Sequence, residues 1–241
     1  MGCDIHCYVE KRDGSKWVSA DRWEPCEYEP DSGRKTVPYE SRIYSGRNYD
    51  LFGILADVRN GRGFAGIRTG AGFNPISEPK GLPVDVSPEV KAESEGWGCD
   101  GHSHSWLTLS ELLAYDWTQE TEHQGDVDGV TFEKWARWNR AKGEAPEYWC
   151  GSCSGSSIIH ISPEDMEARV KELNAELAGM KDVTFAQREE LTKARLGDLH
   201  TIVTWRQPYY KAVRSFLSDT MPRLFRLGSP DNVRLVFWFD N

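Results

Sequence analysis

The chain has 241 residues, long enough to bury a core without disulfide or metal staples. With 39% hydrophobic and 28% charged residues it reads as globular rather than disordered. A formal net charge of −9 argues against a general nucleic-acid surface, and no run approaches the roughly 18 apolar residues of a membrane-spanning helix.

Residues 4–10 alternate. Ile5, Cys7 and Val9 face one way; Asp4, His6, Tyr8 and Glu10 face the other, which predicts a strand with one polar face. Asp13-Gly14 is a turn signal, and Trp17-Val18 opens a return strand. Residues 24–41 read as a polar loop. Asn48 is a predicted N-cap, and Tyr49, Leu51, Phe52, Leu55 and Val58 keep helical spacing after it. The Gly- and Pro-rich stretch 60–83 reads as an ordered loop.

Ser87-Pro88 starts a further helix. Thr108 and Glu111 form a capping box for a helix through Tyr115. A short helix is predicted over 131–141 and a Gly/Ser loop over 150–157. Ser162 and Thr184 cap two charged helices that read as an αα-hairpin over about 162–200. A helix over 209–227 is expected to kink at Pro222 and stop at Gly228. Residues 233–239, Val-Arg-Leu-Val-Phe-Trp-Phe, form an apolar closing strand expected beside the first. The pattern predicts an α+β fold as a single domain, 1–241: a small, mainly antiparallel sheet containing the N- and C-terminal strands, packed with several helices.

The N-terminus reaches Glu10 without the apolar core of a signal peptide, which predicts a cytoplasmic protein. His6 stands where a myristoylation pattern wants Ser or Thr. The cysteines are Cys3, Cys7, Cys26, Cys99, Cys150 and Cys153, for which reduced thiols are the default without a secretory signal. Cys150-Gly-Ser-Cys153 is one CxxC. A structural zinc would need a second pair, for which Cys3 and Cys7 are the candidate, and no βαβ context supports a redox role.

The leading candidate for chemistry joins the first strand to residues 99–108. Asp4 and His6 are two apart on a strand, as are Asp100, His102 and His104 if that segment is extended, so each set projects from one face. His6, His102 and His104 are candidate acid–base groups. The same donors with the carboxylates (Asp4, His6, Asp100, His102 and His104) suit a divalent metal such as Zn or Mn. His6 and at least one of His102 and His104 are expected to share a pocket. The plainer reading is polar-face residues bonded to their neighbours, and an HxH exposed in a loop.

A second candidate is a basic island. Residues 34–68 hold Arg34, Lys35, Arg42, Arg47, Arg59, Arg62 and Arg68 against Glu40, Asp50 and Asp57. Arg42, Arg47, Asn48 and Tyr49, at a helix start, are candidate holders of phosphate; the plainer reading pairs these arginines with the chain's surplus acids. Trp106 and Trp97 flank the HxH and are candidates to stack a base, although most tryptophans of the 97–149 segment read as core. Gly61-Arg62-Gly63-Phe64-Ala65-Gly66 matches GxGxxG, but it follows a helix rather than a strand and is not a dinucleotide site.

Several segments, in order, resemble an uncharacterised protein family common in phage and bacterial genomes. They are Met1-Gly-Cys-Asp-Ile-His6, Arg47-Asn-Tyr-Asp-Leu-Phe52, Gly81-Leu-Pro-Val-Asp-Val-Ser87, His102-Ser-His-Ser-Trp-Leu-Thr-Leu109 with Asp100, and Val233-Arg-Leu-Val-Phe-Trp-Phe-Asp240. The resemblance implies a source, with the host cytoplasm as the place of action for a phage protein, and not a reaction. Small phage proteins often act on host defences, including nucleotide immune signals. Two functions are therefore expected. One is a hydrolase, a phosphodiesterase on a nucleotide or cyclic oligonucleotide signal; the other is a sponge that sequesters such a ligand uncleaved. A structural protein with incidental histidines is the third reading.

Overall fold

The computed structural model of the chain describes residues 2–27 and 30–240. Met1, Tyr28, Glu29 and Asn241 lie outside them, and with them the first residue of the N-terminal motif and part of the 24–41 loop. The elements in the first half are β1 (Asp4–Asp13), β2 (Lys16–Ser19), β3 (Glu24–Pro25), β4 (Lys35–Thr36), α1 (Tyr49–Ala56), α2 (Pro88–Trp97), β5 (His102–Thr108) and α3 (Leu109–Ala114). They continue with β6 (Glu120–Asp128), α4 (Gly129–Trp138), β7 (Ile159–His160), α5 (Pro163–Ala178), α6 (Phe185–Leu196), β8 (Leu199–Pro208), α7 (Tyr209–Ala212), α8 (Met221–Phe225) and β9 (Val233–Asp240). They pack as two compact units, Met1–Asn60 with Phe73–Gln119 and Tyr209–Asn241, and Gly61–Gly72 with Glu120–Pro208. Among the described residues no helix is long and apolar enough to cross a membrane.

The first unit is built on an antiparallel sheet of order β2-β1-β9-β5, so the first and last strands are neighbours as their patterns predict. β9 is buried from Val233 to Phe239. Val233, Leu235, Phe237 and Phe239 join the main core with Leu51, Phe52, Leu107, Leu112 and Phe216. Val236 and Trp238 point the other way, into a smaller core with Tyr8, Val37 and Val90 of α2. Asn48 caps α1, its side chain accepting from the N–H groups of Asp50 and Leu51, and Thr108 and Glu111 close the capping box of α3. The 209–227 segment is helical along most of its length but not regular. It divides into α7, a π-turn at Phe216–Thr220, and α8. Pro222 follows the π-turn directly, so the irregularity lies in the turn before the proline, whose missing N–H leaves a gap in the helical ladder.

One buried ion pair fastens α2 to the sheet. Arg234 Nε donates to Glu10 Oε2 at 2.7 Å, Glu10 Oε1 accepts from the N–H of Ser87 at 2.6 Å, and Arg234 Nη1 reaches Asp85 at 2.8 Å. Both Glu10 and Arg234 are buried. Removing either partner strands a buried charge, so Glu10→Ala and Arg234→Ala should each lower the unfolding free energy by about 3–5 kcal/mol. The double variant should lose less than the sum of the two. Urea unfolding of the four proteins checks this, and additive losses would show the pair is not coupled.

The second unit carries a sheet of order β6-β8-β7, antiparallel between β6 and β8 and parallel between β8 and β7. Thr201, Val203 and Trp205 alternate inward along β8. Val203 and Trp205 pack with Val127, Phe132, Trp135 and Met166. α5 and α6 form the expected helix pair, joined through Leu173, Leu177 and Leu196. His123 of β6 is buried beside Trp205, its ring stacked at 5.6 Å, and the Gln207 amide lies 3.3 Å from its Nε2. Burial pushes the His123 pKa down from 6.5 to about 4. Between those values the unfolded chain holds a proton that the native one does not. Stability of this unit is therefore complete above pH 6.5 and falls as the pH drops toward 4, by up to roughly 3 kcal/mol. Unfolding followed across that range should show the slope in the wild type and a shallower one in His123→Gln.

Candidate functional site

The polar residues of β1 gather where β1, β9 and β5 lie side by side in the first unit. Asp4 stands opposite Asp240 and His6 opposite Trp238. Asp240 serves both of its neighbours: Oδ1 accepts from the Asp4 N–H at 2.9 Å, and Oδ2 lies 3.2 Å from His6 Nε2. Nε2 therefore carries the proton toward the carboxylate, and Nδ1 is left as the basic nitrogen. His6 is 8% exposed. Its ring lies 4.0 Å from that of Trp97, the last residue of α2, and 5.9 Å from that of Trp238. Burial pulls the His6 pKa below its usual value, and the bond to Asp240 opposes the shift.

His104 stacks on Trp238 at 5.5 Å. The two histidines thus share one indole, their ring centres no farther apart than those two spacings together. Burial, with the neighbouring His102, lowers the His104 pKa as well. A Cβ added at Gly101 would meet Trp97, His104 and Trp238 within 3.5 Å, so this glycine lets the three rings close up.

His102 and His104 do not project together. Ser103 adopts a left-handed φ of 51°, and the pairing of β5 with β9 shifts register between His102 and Ser105. The irregularity breaks the alternation on which the HxH reading rests. His102 instead packs on Phe239, with Nδ1 at 3.0 Å from Ser103 Oγ and a buried Nε2 that has no hydrogen-bond partner among the described residues. Asp100 lies exposed in the turn before β5. The donor atoms of Asp4, His6, Asp100, His102 and His104 do not converge as a metal-holding group; among the described residues such groups occur only around Asp126.

The basic island is largely spoken for. Arg47 grips Asp4 through Nε at 2.6 Å and Nη2 at 2.5 Å, and that pairing holds the Asp4 pKa down. Asn48 spends its oxygen on the cap of α1, and its amide donates to Ala212 O at 2.9 Å. The Tyr49 hydroxyl accepts from the Cys3 N–H at 3.3 Å. Arg42 donates to Val37 O and lies over the Tyr39 ring, while its charge still bears on His6. Trp106 makes cation–π contacts with Lys80 at 4.4 Å and Arg234 at 5.5 Å, and it packs against the cluster that holds Trp238. Arg62 and Arg68 bridge each other's backbone in the second unit, where 64–66 is a 3₁₀ turn and not a helix start.

Asp240 and Trp238 are the site residues that sequence reasoning passed over. The signal was available: in the alternation of the closing strand they lie on the face of Arg234, and an antiparallel partner sets Asp240 against Asp4. Cys150 and Cys153 also depart from the reduced default. They are joined as a disulfide with Cα atoms 6.3 Å apart, within the reach of such a bond. Cys3 and Cys7 are core residues of the first unit, not ligands.

No family model, no curated protein and no solved structure matches the chain.

The role of Asp240 in orienting His6 has a direct readout. Asp240→Asn removes the charge that opposes burial, so the His6 imidazole should titrate at a still lower pH than in the wild type. Proton NMR of the ring measures it; an unchanged or higher value would mean that the carboxylate does not act on His6.

Proposed function

We propose that the chain is a hydrolase acting on a phosphodiester in a small anionic ligand, a nucleotide or cyclic oligonucleotide, through acid–base chemistry at His6 and His104. The observation that carries this reading is the His6–Asp240 pair, a neutral imidazole held in one tautomer by a carboxylate at the partly open end of a buried sheet face. In this reading Nδ1 of His6 takes the proton of the attacking water, and Asp240 stabilises the imidazolium that results. His104, on the far side of Trp238, gives a proton to the leaving oxygen; an anion beside it favours its charged form. Arg42 and Arg47 supply positive charge nearby, and the half-buried Trp97 offers a ring face to a base.

A second reading rests on a different observation. The indole of Trp238 stands between the two histidines, and Arg47 is already paired with Asp4. That arrangement also suits a protein that encloses such a nucleotide without cutting it.

Purified protein incubated with a panel of linear and cyclic nucleotides, read by chromatography, separates the two. New products that fall by about 10²–10⁴-fold in His6→Ala support the hydrolase. The base must be neutral and the acid protonated, so the activity should follow a bell, lost as the pH falls through the His6 pKa below 6.5 and lost again as it rises through the pKa that the bound anion gives His104. Depletion of intact nucleotide, reversed by heat denaturation, supports the binder. A panel left untouched in both respects rejects the nucleotide altogether.

A further inference from the structure

The second unit holds a cluster that the reading above does not use. Asp126 of β6, His200 of β8 and His160 of β7 meet across three adjacent strands. His160 lies opposite His200 in the parallel pair, and Asp126 is paired with Ile202, two residues on from His200 and so on the same face. Asp126 is 1% exposed. Its Oδ2 lies 2.8 Å from His160 Nε2 and its Oδ1 3.0 Å from His200 Nδ1. The 150–153 loop closes over the same carboxylate. Cys150 forms a backbone bridge with Asp126, and the Cys153 N–H donates to Oδ2 at 2.8 Å. One donor atom from each of Asp126, His160 and His200 falls within 4.8 Å of the others, and the same holds for Asp126, Cys150 and Cys153.

A carboxylate holding two imidazoles explains the first set by itself. It does not explain why a CxxC pair wraps the same carboxylate. Two imidazoles and two sulfurs flank one shared carboxylate, in two groups of three, and all are donors that zinc-class ions take, with metal–nitrogen bonds near 2.0 Å and ligand-to-ligand edges of about 3.3 Å. The observed nitrogen–oxygen spacings need only a few tenths of an ångström of expansion to admit such an ion.

We propose that Asp126, His160 and His200 bind a zinc-class divalent cation, and that Cys150 and Cys153 add to its coordination once their disulfide is reduced. Reduction takes two electrons and two protons from an external dithiol, which is itself oxidised to its disulfide. The two thiol protons then leave as the sulfurs bind the metal. With the disulfide closed, the site has three protein ligands and an open position. With it open, one thiolate fills that position and the second extends the coordination to five, so metal affinity follows the redox state of the cysteines. The site lies wholly in the second unit and is independent of the reading at His6.

Co²⁺ titrated into chelator-stripped full-length protein tests this by absorption spectroscopy, with and without dithiol. The expected result is a single saturable site with the visible bands of a low-symmetry ion in the oxidised protein. Reduction should tighten binding and add a near-ultraviolet thiolate-to-metal band, absent from a C150S/C153S variant. His160 is 48% exposed on its side chain, so His160→Ala should fold, as circular dichroism checks, and should bind at least about tenfold more weakly, since even outer-shell partners of a metal are worth that much. Binding without the thiolate band would strike the cysteines from the site. No Co²⁺ spectrum in either state, or binding unaltered in His160→Ala, overturns the proposal.

Discussion

Strand β9 is buried on both faces, and the first unit is arranged around that constraint. A strand with no solvated side needs a layer over each face. Its Val233, Leu235, Phe237 and Phe239 side packs into the main core with residues of α1 and α3, and the side bearing Val236 and Trp238 meets Val90 of α2. The second face is not wholly apolar, and each polar group on it must find a partner when it leaves water. Arg234 takes Glu10 and Asp85; Asp240 takes the Asp4 N–H and His6. The candidate site is thus continuous with the packing that holds the sheet. It is the end of the buried face, where the partners change from an enclosed ion pair to a histidine and a partly exposed carboxylate.

The first unit was legible in the sequence because its strands carry clean signals. Ile5, Cys7 and Val9 alternate against Asp4, His6 and Tyr8, and the run from Val233 is too apolar for an edge. Asn48, Thr108, Ser162 and Thr184 are caps whose side chains do accept the helix N–H groups. The sheet of the second unit was harder to see. β6 includes Glu120, Glu122, Gln124 and Asp126 and looks like solvent-facing chain, although Thr201, Val203 and Trp205 of β8 do keep period two. At the site, the spacing of His102 and His104 misled because a single left-handed residue, Ser103, reverses the alternation, and nothing about a serine announces that. The Asp126 cluster was invisible for a different reason. Its members come from positions 126, 150, 153, 160 and 200, and only the pairing of β6, β7 and β8 brings them together.

The two units reuse one local arrangement. In each, the central strand carries a tryptophan, and a histidine on the strand beside it lies against the indole: Trp238 with His6 and His104, and Trp205 with His123. An indole flank removes water from the imidazole without offering it a counter-charge, and all three of these histidines favour the neutral form. The other pattern, imidazole against carboxylate, separates the sites. His6 has both an indole and Asp240, while His160 and His200 share the carboxylate of Asp126.

The two stretches that make up the second unit interrupt the first unit's chain, and β9 follows both of them. A ribosome therefore releases β1 long before the strand that must lie beside it, and β1 waits with its apolar side uncovered while the whole second unit emerges. The second unit has all its strands before β9 is made. Order of synthesis favours its completion first, and the sheet that holds His6 closes only after Asp240 has been added to the chain.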